Sequence, residues 1–353
     1  MKYWLRNKKA FTLIELMVSM AIMVIMFTFA SVIFNVSINS HRAASANNEI
    51  MQKLRAITSQ LNTDFKGLNK NGEILVIWDA KPLADTNEID NDLDGYERFD
   101  RIMFFANGDF QSYRTNPVVR GNTARICYMI ARQGGRSVVN QEKNERILAR
   151  TQHILTADTS LTDLLDPSGF TNTQWQQWNN EYEYDKTSLE QWKLIPWGNK
   201  LDMLSVITDV TVSGSNIDTQ YRGAIVDPAD ANSIHLLLCQ GVGEFKIQGW
   251  DENRQQWIPE VDPDEDGNIT DDDTHFLLND SDPNKVPGVL YPYPPNGFLQ
   301  INNIDYPREQ INKKNFNNIP GLGRALKFTF TLYDSKGIIE EGRTFTHIVY
   351  LDD

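Results

Sequence analysis

Cysteine and histidine are scarce in this sequence of 353 residues, which contains two cysteines and five histidines. Cys127 lies in the apolar run RICYMIA and Cys239 in the apolar run IHLLLCQG. No CxxC motif or Cys/His pairing suggests a zinc or redox site. Two interpretations stay open: a disulfide formed in an oxidising compartment, or two buried free thiols in neighbouring strands.

Basic residues are also few, and the formal net charge is −13. All four charges in the first ten residues are positive, so the rest of the chain carries 30 basic against 47 acidic side chains. Such a surface repels nucleic acid and attracts divalent cations. The sequence also lacks HExxH, GxSxG, Walker and Gly-rich phosphate-loop motifs, so we expect a protein that is not an enzyme.

Charge and proline are both absent from Leu16 to Val36. A helix of roughly 20 apolar residues crosses about 30 Å of hydrocarbon. Because the basic residues precede this run, the positive-inside rule places residues 1–10 in the cytoplasm and the bulk of the chain outside. A secretory signal peptide fits less well, since the run is long and no A-x-A cleavage site follows it.

The helical pattern continues beyond the apolar run. Apolar residues recur at spacings of three and four, at Ile50, Leu54, Ile57, Leu61, Phe65 and Leu68. We therefore predict one helix with a membrane-spanning half over 11–36 and an amphipathic half over 37–68, ending near Gly67.

One acidic residue, Glu15, lies just inside the apolar run. An ionised carboxylate at membrane depth costs at least about 2.5 kcal/mol and usually has a partner. Residues 12 to 36 contain no cationic side chain. The partner must therefore come from the start of the chain itself or from another molecule.

Short apolar runs rich in β-branched and aromatic residues follow Gly72, separated by turn-rich segments. With the leading helix they predict an α+β fold in which an antiparallel sheet packs on the helix. We expect a β-rich globular domain over 72–353 with an insertion at about 156–228. The predicted strands are Glu73–Asp79, Asp100–Ala106, Ala124–Ala131, Arg146–Leu155, Ser233–Gly241, Gly243–Trp250, Arg324–Asp334 and Thr344–Leu351.

The basic leader, the run AFTLIEL (Ala10–Leu16) and the apolar helix together resemble type IV pilin-like precursors. The resemblance implies cleavage between Ala10 and Phe11 by a dedicated prepilin peptidase, with methylation of the new amine. It also implies that Glu15 neutralises the terminal amine of a neighbouring subunit during assembly. Two features depart from the family: alanine replaces the usual glycine before the cut, and the span lacks the proline of many major pilins.

A second resemblance lies in LLLCQGVGEFKIQGWDENRQQWIPE (Leu236–Glu260) and in the closing strands. These are similar to J-type minor pseudopilins of type II secretion and to W-type minor pilins of type IV pili. The resemblance implies an inner-membrane, single-pass protein with a periplasmic domain. Its implied partners are other minor and major (pseudo)pilins and the inner-membrane assembly platform, and its implied place is the filament tip, where it helps to initiate assembly.

The predicted insertion is unusually aromatic. A surface adhesin or substrate receptor that uses these residues is the alternative function. More often, such residues form an insertion's own small core. The aromatic residues are Trp175, Trp178, Tyr182, Tyr184, Trp192 and Trp197.

Two acidic loops match the pattern of calcium-binding loops, in which alternate oxygen ligands converge on one ion. The loop DPDEDGNITDDD would supply Asp262, Asp264, Asp266, Asn268, Thr270 and Asp273. The loop DNDLDGYERFD would supply Asp90, Asp92 and Asp94. Its twelfth position is Arg101, so Glu97 or Asp100 would have to complete the set. The alternative for both loops is a solvated acidic turn.

Overall fold

The architecture is taken from a computed structural model. It describes residues 12–69, 74–77, 80–82, 96–113, 118–133, 142–157, 161, 183–186, 188–194, 225–226, 233, 236–251, 255–258, 298–301, 304–307 and 325–351. Two helices, α1 (Leu13–Lys66) and α2 (Leu189–Leu194), accompany fifteen strands in this part of the chain. The strands are β1 (Leu75–Ile77), β2 (Ala80–Pro82), β3 (Tyr96–Arg98), β4 (Arg101–Gln111), β5 (Arg120–Gln133), β6 (Ile147–Leu155), β7 (Tyr184–Asp185), β8 (Ile225–Val226), β9 (Leu237–Gln240), β10 (Val242–Asp251), β11 (Gln256–Ile258), β12 (Phe298–Ile301), β13 (Ile304–Pro307), β14 (Ala325–Leu332) and β15 (Arg343–Tyr350).

The first half of α1 makes no contact with the described residues of the globular part, whereas its second half packs on the sheets. Every described residue from Thr12 to Ser37 is exposed, and the first buried residue is Ala46. The predicted stripe then faces the core: Ile50, Ile57, Leu61 and Phe65 are buried there. The 54 residues of α1 make a helix of about 80 Å, long enough both to span a bilayer and to brace a domain.

The helix ends where a side chain would collide with the sheet. A Cβ atom on Gly67 would lie 2.2 Å from the main-chain oxygen of Asn107. The amide of Asn107 donates to the carbonyl of Gly67 at 2.6 Å, so the chain leaves the helix against β4. Glycine is therefore required at this close approach.

Seven strands form the first sheet, in the order β1-β4-β5-β6-β7, with β8 on β5 and β9 on β6. Four strands form the second, in the order β11-β10-β14-β15. Pairs β12-β13 and β2-β3 form two further small sheets. Pairing is antiparallel throughout, except for β8 on β5 and β7 on β6. The α+β prediction is confirmed.

One core joins α1 to both larger sheets. Phe65 stacks on Phe104 of the first sheet with ring centroids 4.3 Å apart, and lies 5.6 Å from Phe328 of the second. The amide of Ile247 donates to the buried carboxylate of Asp100 at 2.6 Å, which ties β10 to the chain entering β4. Asp100, a candidate ligand of the second acidic loop, therefore lies in the joint between the sheets.

Both cysteines are buried free thiols. Cys127 pairs with Thr151 of β6 and Cys239 with Leu148 of the same strand, so β6 separates them. Cys239 lies in the core under α1. On β5, the residues that face this core are Ile126 and Tyr128, which flank Cys127 in the sequence. Because side chains alternate along a strand, the thiols point to opposite faces. The expectation of neighbouring strands was wrong, and a disulfide is excluded by this spacing.

Candidate functional site

Glu15 forms a capping box with Thr12 at the start of α1. Its carboxylate accepts hydrogen bonds from the main-chain N–H and from the hydroxyl of Thr12, each at 3.0 Å. The amide of Glu15 donates in turn to the Thr12 hydroxyl at 3.4 Å. The T-x-x-E pattern that specifies this cap is visible in the sequence, although our sequence interpretation did not use it.

The cap provides neutral donors, and no described residue supplies a counter-charge to Glu15. The other polar groups of the span that form described bonds use carbonyls of α1 itself: Ser19 donates to Leu16 at 2.8 Å and Thr28 to Val24 at 2.8 Å. Glu15 is the one ionisable side chain between residues 12 and 36. Glu15 is therefore a fixed, exposed negative charge at the N-terminal end of the apolar half of α1.

A second feature is a buried clamp that joins the far end of α1 to the first sheet. Arg150 of β6 donates to both oxygens of Asp64, at 2.6 and 2.8 Å, and the Tyr128 hydroxyl of β5 donates to the same carboxylate. Gln60 adds a bond at 3.1 Å from within the helix. Burial and the adjacent Asp64 charge raise the pKa of Tyr128. Although burial alone would lower the pKa of Arg150, bonding to Asp64 raises it overall.

A third contact fixes α1 near the level where it enters the domain. Lys53 donates to the carbonyl of Tyr333 at 2.7 Å and pairs with Glu49 at 2.9 Å. Glu49 accepts from the amide and hydroxyl of Ser335 at 2.9 and 3.0 Å. Burial acts to raise the pKa of Glu49, but Lys53 and Ser335 outweigh it, and the pKa is lowered. The anchor helix is thus held at two levels.

Two of the aromatic insertion residues lie in the interior. Tyr184 is buried beside Val119 and Ile154. Trp192 of α2 is 1% exposed and packs edge-on against Phe105 with ring centroids 5.4 Å apart. Trp192 covers the sheet face opposite α1. Tyr184 neighbours Ile154, which pairs with Ala124 of the core under α1. Neither residue is part of an exposed stacking surface. Trp175, Trp178, Tyr182 and Trp197 lie outside the described residues.

Trp192 also lies against a buried cation. The guanidinium of Arg125 is 5.4 Å from the centre of the indole ring. Burial lowers the pKa of Arg125 to about 10, and the nearby charge of Asp185 offsets part of that effect. No local sequence pattern indicates that this Arg–Trp pair joins the predicted insertion to the sheet.

The remaining predicted site residues cannot be placed. Ala10 and Phe11 of the processing site lie outside the described residues, as do the calcium-loop residues Asp90, Asp92, Asp94 and 262–273. Within the described ranges, no group of three or more His, Cys, Asp or Glu side chains is arranged to hold a metal ion. The calcium prediction stays a prediction.

Comparison with known families gives one match. Residues 5–31 match the family model of the prokaryotic N-terminal methylation motif. Comparisons with curated proteins and with solved structures gave no match. The motif, the exposed apolar helix and the sheets packed on its second half together support a type IV pilin-like precursor.

The match describes the class of the protein at a coarse level. The family with this motif is a structural one. Among the described residues, α1 is the single helix long and apolar enough to cross a membrane, which suggests a single-pass anchor. The motif implies processing by a prepilin peptidase and assembly with other pilins.

Proposed function

We propose that this chain is a minor pilin or pseudopilin, a low-copy structural subunit of a type II secretion pseudopilus or of a type IV pilus tip. There it helps to initiate filament assembly. The observation that carries the proposal is Glu15, a carboxylate without a counter-charge among the described residues, at the start of a helix whose apolar surface is exposed from Leu13 to Val36. Within the described ranges, neither the charge nor the apolar surface contacts the globular part.

Cleavage between Ala10 and Phe11 would create a terminal amine close to Glu15. In a bundle of such helices, the amine of one subunit can approach the Glu15 carboxylate of the next, in surroundings where water does not screen the pair. The two Thr12 donors occupy one carboxylate oxygen, Oε2, and leave the other oxygen to accept from a cation. Thr12 thereby orients the carboxylate while the partner subunit supplies its counter-charge.

The same proposal gives a location. The basic leader lies in the cytoplasm, Leu16–Val36 spans the inner membrane, and the acidic domain projects into the periplasm. After assembly the domain sits at the filament tip. Its contacts before assembly are the prepilin peptidase and the inner-membrane assembly platform.

The test replaces Glu15 by glutamine in the full-length chain in its native host. Glu15→Gln keeps an acceptor for Thr12 and removes only the charge. We expect leader removal to continue, as measured by mass spectrometry, while co-purification with pilin-type subunits falls at least about tenfold. This is the effect of losing about 1.4 kcal/mol per contact.

The matched control is Glu341→Gln, which removes an exposed acid from the turn before β15. It should leave co-purification unchanged. Wild-type co-purification of Glu15→Gln would contradict the proposal.

We also propose that calcium binds the loop containing Asp262, Asp264 and Asp266, and that the loop containing Asp90 binds a second ion. Support comes from ligand spacing alone. Calcium at 100 times its Kd should stabilise the fold by about 2.7 kcal/mol. We expect the Tm of the full-length protein in detergent to rise with calcium but not with magnesium. The double variant Asp264→Asn/Asp266→Asn should lose the part of that rise due to the first loop, and a Tm insensitive to chelator would contradict both sites.

A further inference from the structure

Strand β15 forms an open edge of the second sheet. It pairs with β14 over eight consecutive residues, from Leu332↔Arg343 to Ala325↔Tyr350, without a bulge. In the part of the chain that the structure describes, no strand pairs with its other side. In an antiparallel ladder every second residue turns its N–H and C=O outward, so β15 presents a continuous row of donors and acceptors.

This edge lacks the features with which proteins normally protect an edge strand. Residues Thr344–Tyr350 contain no proline, lysine, arginine or acid. Burial lowers the pKa of His347, the one titratable imidazole there, which favours its neutral form. Ile348 is 38% and Tyr350 64% exposed. The edge is regular, β-branched and apolar, which are the properties of a strand that receives another strand.

A second copy of this chain is a poor occupant because of the direction of β15. The strand starts opposite Leu332, beside the turn that binds Glu49 and Lys53, and His347 lies 2.8 Å from Asn62 further along α1. It therefore runs in the same direction as α1. Two β15 edges related by a two-fold axis pair antiparallel, which would point the two anchors in opposite directions.

Head-to-tail pairing of two copies is also disfavoured. The other described edge strands of the two larger sheets are β1 and β11 with three residues each, β7 and β8 with two each, and β9 with four. None of them matches an eight-residue edge. The described edges therefore favour a different chain as the occupant.

The position of β15 indicates which kind of chain pairs with it. The Nε2 atom of His347 and Oδ1 of Asn62 join the strand to the exposed side of α1. A neighbouring subunit whose helix packs on α1 therefore lies beside β15 as well. The single charged residue of β15 is Arg343, at its membrane-proximal end, in a chain of net charge −13. A strand with an acidic residue at that end complements it.

We propose that β15 receives an extended strand from a different pilin-type subunit of the same filament, with an acidic residue of that strand facing Arg343. The inference rests on the proposed function. Pairing at this edge would add main-chain hydrogen bonds to the contacts between helices. It would also select a partner whose strand lies at the same distance from the membrane as β15.

The test places a photo-crosslinking amino acid, one at a time, at Thr346, Ile348 and Tyr350 in the full-length protein in native membranes. These positions share one face of β15. A fourth site, Val24 in the span, reports on helix packing alone. We expect the three β15 positions to crosslink to one segment of one pilin-type subunit, at sites two residues apart, and Val24 to crosslink to pilin helices.

The outcomes separate the two proposals. Crosslinks from Val24 to pilin helices without crosslinks from β15 would overturn the inference and leave the proposed function intact. Crosslinks from β15 to this chain itself or to a second copy, or to scattered sites, would also overturn it. If neither Val24 nor β15 reaches a pilin-type subunit, the proposed function fails as well.

A charge at the edge provides an independent test. Ile348→Lys should lower crosslinking from Thr346 and Tyr350 about tenfold without changing that from Val24, because lysine opposes strand pairing. Ile338→Lys is the matched control, since Ile338 is 37% exposed in the preceding turn. It should leave the crosslinks unchanged. Equal effects of the two substitutions would contradict a specific role of β15.

Discussion

At the scale of single residues, the buried pair of Asp64 and Arg150 decides where the anchor helix meets the sheet. Both side chains are largely buried, with Asp64 3% and Arg150 15% exposed. Their bidentate geometry, with Tyr128 on the same carboxylate, satisfies groups that would be costly to bury alone. The pair therefore fixes orientation as well as contributing to stability.

Replacing Asp64 by asparagine should be strongly destabilising. Arg150 would stay buried without a counter-charge, which costs about 3–5 kcal/mol. Urea denaturation of the full-length protein in detergent measures the change in the free energy of unfolding. Glu49→Gln is the control, because its more exposed pair with Lys53 contributes only about 0–1 kcal/mol. Equal costs for the two variants would contradict the clamp.

Residue-level reasoning from the sequence was sound where the signal was local. The charge of Glu15 and the core-facing stripe from Ile50 to Phe65 could both be read directly from spacing. The partners of Asp64 could not, because Tyr128 and Arg150 are 64 and 86 residues away in the chain. Such pairing depends on sheet register, which no local pattern encodes.

At the scale of elements, the turn between β14 and β15 is organised by one carboxylate. Asp334 is buried and accepts from the amides of Lys336, Ile338 and Ile339 at 3.2, 3.0 and 2.9 Å. Burial acts to raise its pKa, but these three donors outweigh burial and lower it. The turn positions Ser335 for its contact with α1 and sets the start of β15.

This lowered pKa predicts a pH dependence. The stabilisation by Asp334 is complete above the ordinary pKa of 3.8 and is lost as the pH falls through 3.8 toward the lower folded-state value. Asp334→Asn should cost about 1–3 kcal/mol near neutral pH, because an NH2 group replaces one of the two oxygens that accept from the turn amides. The difference in unfolding free energy between wild type and variant, measured from pH 7 to pH 3, should shrink toward acid. A constant difference would contradict this role.

The predicted strands agree closely with the observed ones where runs are long. Arg146–Leu155 was predicted and β6 spans Ile147–Leu155; Thr344–Leu351 was predicted and β15 spans Arg343–Tyr350. Of the strands of two to four residues, β1 and β9 were predicted, whereas the others, such as β7 and β8, were missed. Their sequences are too short for an alternation to emerge, and they form because a longer strand already offers an edge.

At the scale of the whole molecule, the chain covers both faces of its first sheet. α1 lies on one face, and Trp192 of the predicted insertion lies on the other, over Phe105 and Arg125. Apolar side chains therefore pack on both faces of the first sheet. We infer that changes in the insertion affect the stability of the domain rather than only its surface.

Trp192→Ala should test this directly. Truncating a buried tryptophan costs about 3–5 kcal/mol through lost burial and the cavity that remains. Tyr113→Ala, at a side chain 71% exposed, should stay within about 0.5 kcal/mol of wild type. Thermal unfolding of the two variants in the same detergent compares them. If both are equally stable, Trp192 does not hold the insertion on the sheet.

The sequence by itself determined the span, the single carboxylate within it, the amphipathic continuation and the α+β class. These properties follow from composition and from the spacing of apolar residues over a few positions. Such local patterns by themselves favour a helix, a strand or a membrane span. Only the tertiary structure decided that the two thiols face apart, that Trp192 is buried and that β15 is an edge strand among the described residues. Each of these depends on which distant segments meet, because register and layer order are set by the packing of the whole core.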